Sequence, residues 1–589
     1  MKFKGLFKLS LAASVAVCAN AADESVLSGV EVTSSSGGYG VDDIKISTRN
    51  AGLAKDVMRD IPGVYVGGTN GMNQKIYMRG VSDRGLNITI DGAKQNGNTF
   101  HHNADLLIDP DLIKAIDVEV GSRSVVNGSG ALGGSVAFKT VDAKDLLESG
   151  EKIGAKIKTG YASNNSEFSQ GLMLFTAPVE GLDFIAAINH KGYDYGKSGN
   201  KRKIGGDGND LSYLLKLGYS FLDAHRISIS REHNEFKGLY PLRAEFGSWY
   251  SGSNSVDNRK YERDTTTLKY EYKPSDLLNL DVTAYNTRHQ RIDDSKWGVE
   301  TNGINAKAKS VVESGALMQT FRYGAEFYQS KNFNKPDNHY PEKVNNYSIY
   351  AEDALNFSSL TVTPGIRYAR HELKSYDGRA GNVKSYTYKF NEFTPALALD
   401  YEIIKGLNAF ASYARVFRGP DVMESMYASR AENFEANKDL KATTGNSYET
   451  GLKYHGDINE ASSYSLSAKY FTTKYKNLIV DNSSYVTGTP PITIYRRINA
   501  GGADISGVEL LARLNLDALS LAASYTHQKV KYKDRVANTE WGGYYTSNVI
   551  GYRDQGDKYT FNAEYAFSRI DTLIGYNLIY FASKKHHLS

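Results

Sequence analysis

From about Lys152 onward, the chain repeats one unit, a short segment of alternating apolar and polar side chains that ends in a turn. The segments LNLDVTA (278–284) and YSLSAKY (464–470) show the pattern. Because successive side chains of a β-strand point to opposite faces, each segment has one apolar and one polar face. Strands of ~10 residues with this alternation are typical of outer-membrane barrels, where the apolar face meets lipid and the polar face lines a wet lumen.

A soluble β-sandwich is the alternative for such a chain, but its inward faces would be richer in Val, Ile and Leu than these segments are. The 42 tyrosines also favour the barrel, because tyrosine is enriched where a membrane meets water. Tight turns alternate with long polar connections, as they do in membrane barrels. The tight turns are predicted at 222–223 and 274–276, and the long connections at about 234–261, 291–307, 418–445 and 530–555.

Residues 1–22 have the pattern of a secretory signal peptide, with a basic start, the apolar run Leu9–Cys18 and a small-x-small cleavage site at 19–21. A buried N-terminal helix is the alternative. Cleavage there removes Cys18, the single cysteine, so the mature chain would hold neither a disulfide nor a cysteine-ligated metal. Past this segment no apolar run reaches ~18 residues, which leaves a closed barrel as the way to cross a membrane.

Nothing in the sequence predicts an enzyme or a nucleic-acid-binding protein. The chain has no G-x-S-x-G elbow and no H-E-x-x-H zinc motif, and its Gly-rich run at 128–134 lacks the Lys-Ser/Thr of a phosphate loop. The net charge of +4 is close to balanced, and it gives no reason to expect a nucleic-acid partner.

Between residues 56 and 140, glycines divide the chain into short apolar segments that each end in a turn. A small domain followed by a long β repeat suggests something held inside or against a large barrel. Residues 23–50 are polar and rich in Gly and Ser, and they are predicted to form a flexible tether. One extended patch in this tether is either a β-prone tetrapeptide without a role or a segment that adds a strand to a partner's sheet. The patch consists of Val30, Glu31, Val32 and Thr33.

Four segments of the glycine-divided region together resemble the plug of TonB-dependent outer-membrane receptors. They are Asp56–Val64, Met78–Val81, Ile90–Gly92 and Gly128–Thr140. The resemblance implies an all-β membrane protein in which an N-terminal α/β plug is lodged inside an antiparallel barrel of the 22-stranded type. It also implies that Val30–Thr33 is a TonB box, and that uptake is energised by the inner-membrane TonB complex.

About nineteen strand-like segments follow the plug, the last near 571–582. Because an antiparallel bacterial barrel closes with an even number of strands, about three C-terminal strands are expected to be missing. The predicted division is a signal peptide at 1–22, TonB box and tether at 23–50, plug at 51–148, and outer-membrane barrel at 149–589.

Within the family, several segments resemble the haem and haemoglobin receptors. Ile90–Gly121 is similar to the haem-receptor plug, Val416–Pro420 to the FRAP motif, and Ala436–Lys441 to the NPNL motif. In that subgroup a histidine on an apical plug loop ligates haem iron, so the resemblance implies His101 or His102 as the ligand. Neutral imidazole is a standard axial ligand of haem iron.

The chain departs from the subgroup where a second histidine usually lies, because 417–440 contains none. Tyr427 is the candidate haem-binding residue there, beside Met423 and Met426, and tyrosine is a known haem ligand. We expect His339 and His371 to be solvated loop or rim residues.

The sequence thus predicts an exported receptor in the outer-membrane lipid that imports haem, free or from haemoglobin, as transported ligand and without a permanent cofactor. Two alternatives remain open at this point. One is a receptor for a ferric siderophore or another iron chelate, which would not need the histidines. The other is a truncated remnant that does not transport.

Overall fold

The computed structural model describes residues 38–68, 71–97, 106–197, 201, 206–241, 256–293, 296–335, 341–379, 382–422, 435–487, 492–533, 553–570 and 572–582. Residues 38–145 form a plug with a five-stranded sheet and a three-stranded sheet. Its elements are β1 (Tyr39–Asp42), α1 (Asp43–Thr48), α2 (Lys55–Met58), β2 (Val64–Gly67), β3 (Lys75–Met78), β4 (Val81–Ser82), β5 (Asn87–Ile90), β6 (Ala93–Lys94), β7 (Ile113–Val120) and β8 (Gly134–Thr140). Short 3₁₀ turns lie at Gly71–Asn73, Asp83–Gly85, Pro110–Leu112, Val125–Asn127 and Ala143–Asp145.

The larger plug sheet has the order β1-β7-β8-β5-β6, and β5 runs parallel to β8 while the other pairs are antiparallel. Its inner face is apolar because Ile116, Val118 and Val120 alternate along β7. The N-terminal end differs from the predicted tether of 23–50. Tyr39 and Val41 pair with β7 and are buried, since their apolar side chains complete the same core.

The repeated segments that follow the plug form the strands of a closed barrel. Their bounds are β9 (Ile153–Ala162), β10 (Glu167–Val179), β11 (Leu182–Asp194), β12 (Asp207–Phe221), β13 (His225–Pro241), β14 (Val256–Ser275), β15 (Leu278–Ile292), β16 (Lys296–Ser314), β17 (Leu317–Lys335), β18 (Lys343–Phe357), β19 (Leu360–Arg379), β20 (Asn382–Ile404), β21 (Leu407–Arg418), β22 (Thr443–Asn459), β23 (Ser462–Lys476), β26 (Ala503–Leu516), β27 (Leu519–Tyr532), β28 (Lys558–Phe567) and β29 (Thr572–Phe581). Between β23 and β26, β24 (Ile479–Thr487) and β25 (Ile492–Asn499) form a separate hairpin.

Alternation sets the two faces of the barrel wall. Along β13, Ile227 and Ile229 point outward and are exposed, whereas Ser230 and Glu232 point into the lumen and are buried. Continuous antiparallel registers link β9 to β10 and so on to β29. The outer surface is therefore apolar and the wall behind it polar, as the sequence pattern predicts.

The part of the chain that the structure describes contains nineteen barrel strands. Because neighbours alternate in direction and the number is odd, β9 and β29 run the same way where the ring closes. All residues of both strands are exposed or partly exposed. The 22-strand type and the missing C-terminal strands stay predictions.

The tight turn predicted at 222–223 connects β12 to β13, where Leu222 and Asp223 have φ of 49° and 56°. Two consecutive left-handed residues are what a two-residue hairpin turn requires. The long connection predicted at 291–307 is wrong, because β15 reaches Ile292 and β16 begins at Lys296. The strands continue beyond the apolar band, so polar outward side chains there do not mark a loop.

Across the described residues, the helices are all too short and polar to cross a membrane.

Candidate functional site

The apical segment of the plug is held by the barrel wall at both of its described ends. On one side, the Asn96 side-chain amide donates to the Asp421 carboxylate at 2.6 Å and to the Ser330 hydroxyl at 3.3 Å. On the other side, Arg263 Nε donates to the Leu107 carbonyl at 2.5 Å. These two wall contacts, on either side of segment 98–105, lie three barrel strands apart, because Ser330 is on β17 and Arg263 is on β14.

Below this segment, plug and wall meet closely. A cavity of about 30 Å³ lies between Lys94 and Asn96 of the plug and Tyr328, His371 and Phe417 of the wall. A volume of that size holds about one water molecule. A porphyrin is far too large for this cavity.

His371 is not the solvated rim residue that the sequence suggests. It is 3% exposed and points into the lumen, where its Nε2 lies 2.8 Å from the Pro420 carbonyl. A carbonyl only accepts, so Nε2 carries the proton, and Nδ1 accepts from the Asn346 amide at 3.3 Å. The correction has a simple cause: the partner in the chain lies 49 positions away, which no local pattern reports.

Gly419 stands where the FRAP motif has alanine, and packing against His371 explains this difference. A Cβ atom at Gly419 would lie 2.3 Å from the His371 ring, closer than carbon atoms approach one another. The glycine in VFRGP therefore lets the chain turn directly against the imidazole.

Several residues and segments that the sequence assigns to a function, or to the rim, lie outside the described residues. These are His101, His102 and Tyr427, the TonB box residues Val30, Glu31, Val32 and Thr33, the signal peptide 1–22, and His339. Their roles stay predictions, and the described site consists of the groups that flank them.

A second contact between plug and barrel is strongly charged. Arg79, from the MRGV segment, donates to Glu449 at 2.6 Å and to Glu509 at 2.9 and 3.1 Å. Lys469 lies 3.5 Å from Glu509, and the Arg79 guanidinium stacks over the Phe471 ring at 4.0 Å. We call Arg79, Glu449, Glu509 and Lys469 the charged latch. All four side chains are buried, so each charge depends on the others.

Gly121 makes the charged latch possible. A Cβ atom there would lie 2.3 Å from both Arg79 Nη1 and Glu449 Oε1. The sequence alone assigns Arg79 no role beyond its place in the MRGV segment (Met78–Val81). The sequence does carry a glutamate within each of the alternating segments NSYETGLKY and ISGVEL, and in the structure both glutamates face the lumen.

The N-terminal end of the plug has its own buried charges. Lys45 contacts Asp60 at 3.0 Å, and Arg49 contacts the same carboxylate at 2.9 Å. Burial lowers the pKa of Lys45 to about 8, although Asp60 opposes the shift. Burial alone would raise the pKa of Asp60, but Lys45 and Arg49 outweigh it and the pKa is lowered. Nearby, Lys558 of the wall donates to the carbonyls of Arg59 at 3.0 Å and Ile61 at 2.6 Å.

A plug of two small sheets lies inside an antiparallel barrel and is joined to it by buried ion pairs. This arrangement defines a class of outer-membrane receptor. The family model "TonB dependent receptor-like, beta-barrel" matches residues 187–583, and "TonB-dependent Receptor Plug Domain" matches 29–135. The chain belongs to the TonB-dependent receptors, which are outer-membrane proteins and not enzymes.

Among curated relatives, the heme/hemopexin utilization protein C of Haemophilus influenzae (strain 86-028NP) is 25% identical, over 90% of this chain and 81% of the relative. The hemin receptor of Yersinia pestis is 25% identical, over 74% of this chain and 67% of the relative.

Solved structures share the fold. The FrpB iron transporter of Neisseria meningitidis (F3-3 variant) has a TM-score of 0.77 at 21% identity, covering 90% of this chain and 84% of that one. The Serratia marcescens hemophore receptor HasR, solved with its hemophore and heme, has a TM-score of 0.75 at 18% identity and covers 92% of both chains.

Proposed function

We propose that this receptor binds haem on the outer side of the plug apex and imports it into the periplasm. The observation that carries the proposal is the way the wall holds both ends of segment 98–105, through Asn96 and Leu107. Because that segment contains His101 and His102, we assign both histidines to the side from which haem would arrive. The names of the curated relatives, which refer to heme and hemin, support this ligand.

The chemistry of the flanking groups suits a flat, largely apolar ligand with a metal at its centre. Leu107, which follows the segment, belongs to an apolar cluster that plug and wall form together, made of Met72, Leu107, Phe236, Tyr240 and Tyr261. Asn96, which precedes the segment, lines the small cavity together with Phe417. We assign the iron to His101 or His102, and Tyr427 to the opposite axial position.

For import, the TonB box Val30–Thr33 would pair with a strand of the TonB protein. Only a few residues separate it from β1, the edge strand of the plug sheet. A pull on the box would therefore reach β1 first. We also propose that residues 1–22 are a signal peptide for export. The ligand would arrive as free haem or on haemoglobin.

The test is a haem titration of the purified full chain in detergent, followed by the Soret absorbance. The His101→Ala/His102→Ala variant is compared with His455→Ala, which removes an exposed histidine beside the short turn at Gly406. Heat-modifiable gel mobility shows that each sample is a folded barrel.

A saturable Soret shift in the wild type and in His455→Ala, lost in the double variant, is the expected result. Folded samples without any shift would rule out haem and favour the iron-chelate receptor. A shift that survives in the double variant would move the iron away from these two histidines.

A further inference from the structure

A group of phenol and carboxyl side chains lies near the loop ends of β11, β12 and β13. Tyr193 near the end of β11 donates to the Asp210 carboxylate of β12 at 2.7 Å. Its hydroxyl also lies 3.2 Å from that of Tyr240, near the end of β13. Tyr195 follows β11, and its ring packs edge-on against Tyr240 with 5.7 Å between ring centroids. We call these four residues the tyrosine cluster.

One member of the tyrosine cluster has an unused donor. The Tyr195 hydroxyl is buried and has no hydrogen-bond partner. Buried polar groups are almost always paired, because an unmade hydrogen bond costs free energy that water would otherwise have supplied. An unpaired phenol next to two paired phenols and a carboxylate indicates a place where a ligand completes the set.

We propose that Tyr193, Tyr195, Tyr240 and Asp210 form a binding site for ferric iron that is not held in a porphyrin. Fe³⁺ is a hard cation, and phenolate and carboxylate oxygens are hard ligands. Oxygens that share a small cation at about 2 Å lie roughly 3 Å from one another. The separations of 2.7 and 3.2 Å around Tyr193 match that arrangement.

Protons balance the charge of this site. In the empty state burial, followed by the neighbouring Tyr240 and Asp210, raises the pKa of Tyr195, so its phenol stays protonated. When a phenol coordinates, its O–H bond breaks, the oxygen takes the metal, and one proton passes to the solvent. Binding of iron should therefore tighten as pH rises.

The location couples the site to the plug. Tyr240 packs in one apolar cluster with Met72 and Leu107 of the plug, and Leu107 directly follows the segment that contains His101 and His102. Iron bound at the tyrosine cluster would therefore lie next to the plug residues Met72 and Leu107. The inference does not depend on haem binding, and the two ligands can be tested separately.

The test adds ferric nitrilotriacetate to the iron-free full chain in detergent and follows the visible charge-transfer band of a tyrosinate–iron bond. Tyr193→Phe, Tyr195→Phe and Asp210→Asn are compared with Tyr213→Phe. Tyr213 lies on β12 like Asp210, but it faces outward and stacks on His233, so it is the matched control.

We expect a saturable band in the wild type and in the control, with affinity reduced about tenfold or more in the other three variants. No band in a folded wild type would overturn the inference. A band of equal strength in all variants would also overturn it, because the iron would then be bound elsewhere. Haem titrations of the same samples separate this failure from a failure of the proposed haem function.

Discussion

The plug meets the barrel in two chemically different ways. At the apex, two hydrogen-bonded groups, Asn96 and Leu107, contact the wall on either side of segment 98–105. Deeper in the lumen, Arg79 joins two glutamates and a lysine in the charged latch. Few bonds have to change for the apex to adapt to a ligand, whereas the charged latch resists opening because each separated charge would stay buried. The contrast separates ligand binding from plug release.

The largest effect is expected from Arg79→Met, which leaves Glu449 and Glu509 buried without their guanidinium partner, although Lys469 stays within 4 Å of both. Removing one partner of a buried ion pair typically costs about 3–5 kcal/mol. Hydrogen exchange of the β3 and β4 amides, measured in the full barrel, should report a plug opening that is easier by this amount.

The matched control for Arg79 is Lys139→Met, which breaks a plug ion pair of similar length that is half exposed, Lys139–Asp117 at 2.8 Å. Exposed pairs contribute under about 1 kcal/mol. Replacing the whole charged latch, with Met at Arg79 and Lys469 and Gln at Glu449 and Glu509, should recover much of the loss. Equal effects of Arg79→Met and Lys139→Met would mean that the charged latch does not hold the plug.

A pH dependence is expected from Glu119, on β7. Burial raises the pKa of this carboxyl to about 7, and the neighbouring Glu352 and Glu449 add to the shift while Asn127 and Arg123 oppose it. The contribution of Glu119 to stability is complete below its ordinary value of 4.5. It falls as pH rises toward 7, because the unfolded plug then binds fewer protons than the folded plug.

At about 1.4 kcal/mol per pKa unit, the total contribution of Glu119 is on the order of 3–4 kcal/mol. Glu119→Gln should remove it, so the difference in plug stability between variant and wild type should grow between pH 4.5 and 7. Hydrogen exchange of the β7 and β8 amides, corrected for intrinsic rates, measures this difference. If the stability difference between Glu119→Gln and wild type stays constant from pH 4.5 to 7, the prediction is wrong. The ionised carboxylate would then be in contact with water.

The barrel and the plug could be predicted from the sequence because both are built from local patterns. Alternation sets the wall, and glycine turns divide the plug. What could not be predicted depends on distant partners. Arg79 and Glu509 are separated by 430 positions, so no local sequence pattern predicts that they form an ion pair.

Two other predictions failed for related reasons. His371 is polar, which favours a solvated position in a sequence-based prediction, but it lies within β19 and faces the Pro420 carbonyl in the lumen. In 291–307 the polar residues suggested a loop, although the strands simply extend beyond the apolar band. The proposed ligands His101 and His102 stay predictions that depend on the resemblance.

The smallest effect is expected at the apex of the plug. It tests whether the apex can change conformation without opening the charged latch. In Gly419→Ala, the added methyl group would press on the His371 ring, and overpacking of this kind costs about 1–3 kcal/mol. The double variant Gly419→Ala/His371→Ala should relieve the clash, although it loses the bond to Pro420. If the apex adapts, Gly419→Ala should weaken haem binding without easing the exchange of the β3 and β4 amides beside the charged latch. Parallel changes in both measurements would show that apex and latch move as one unit.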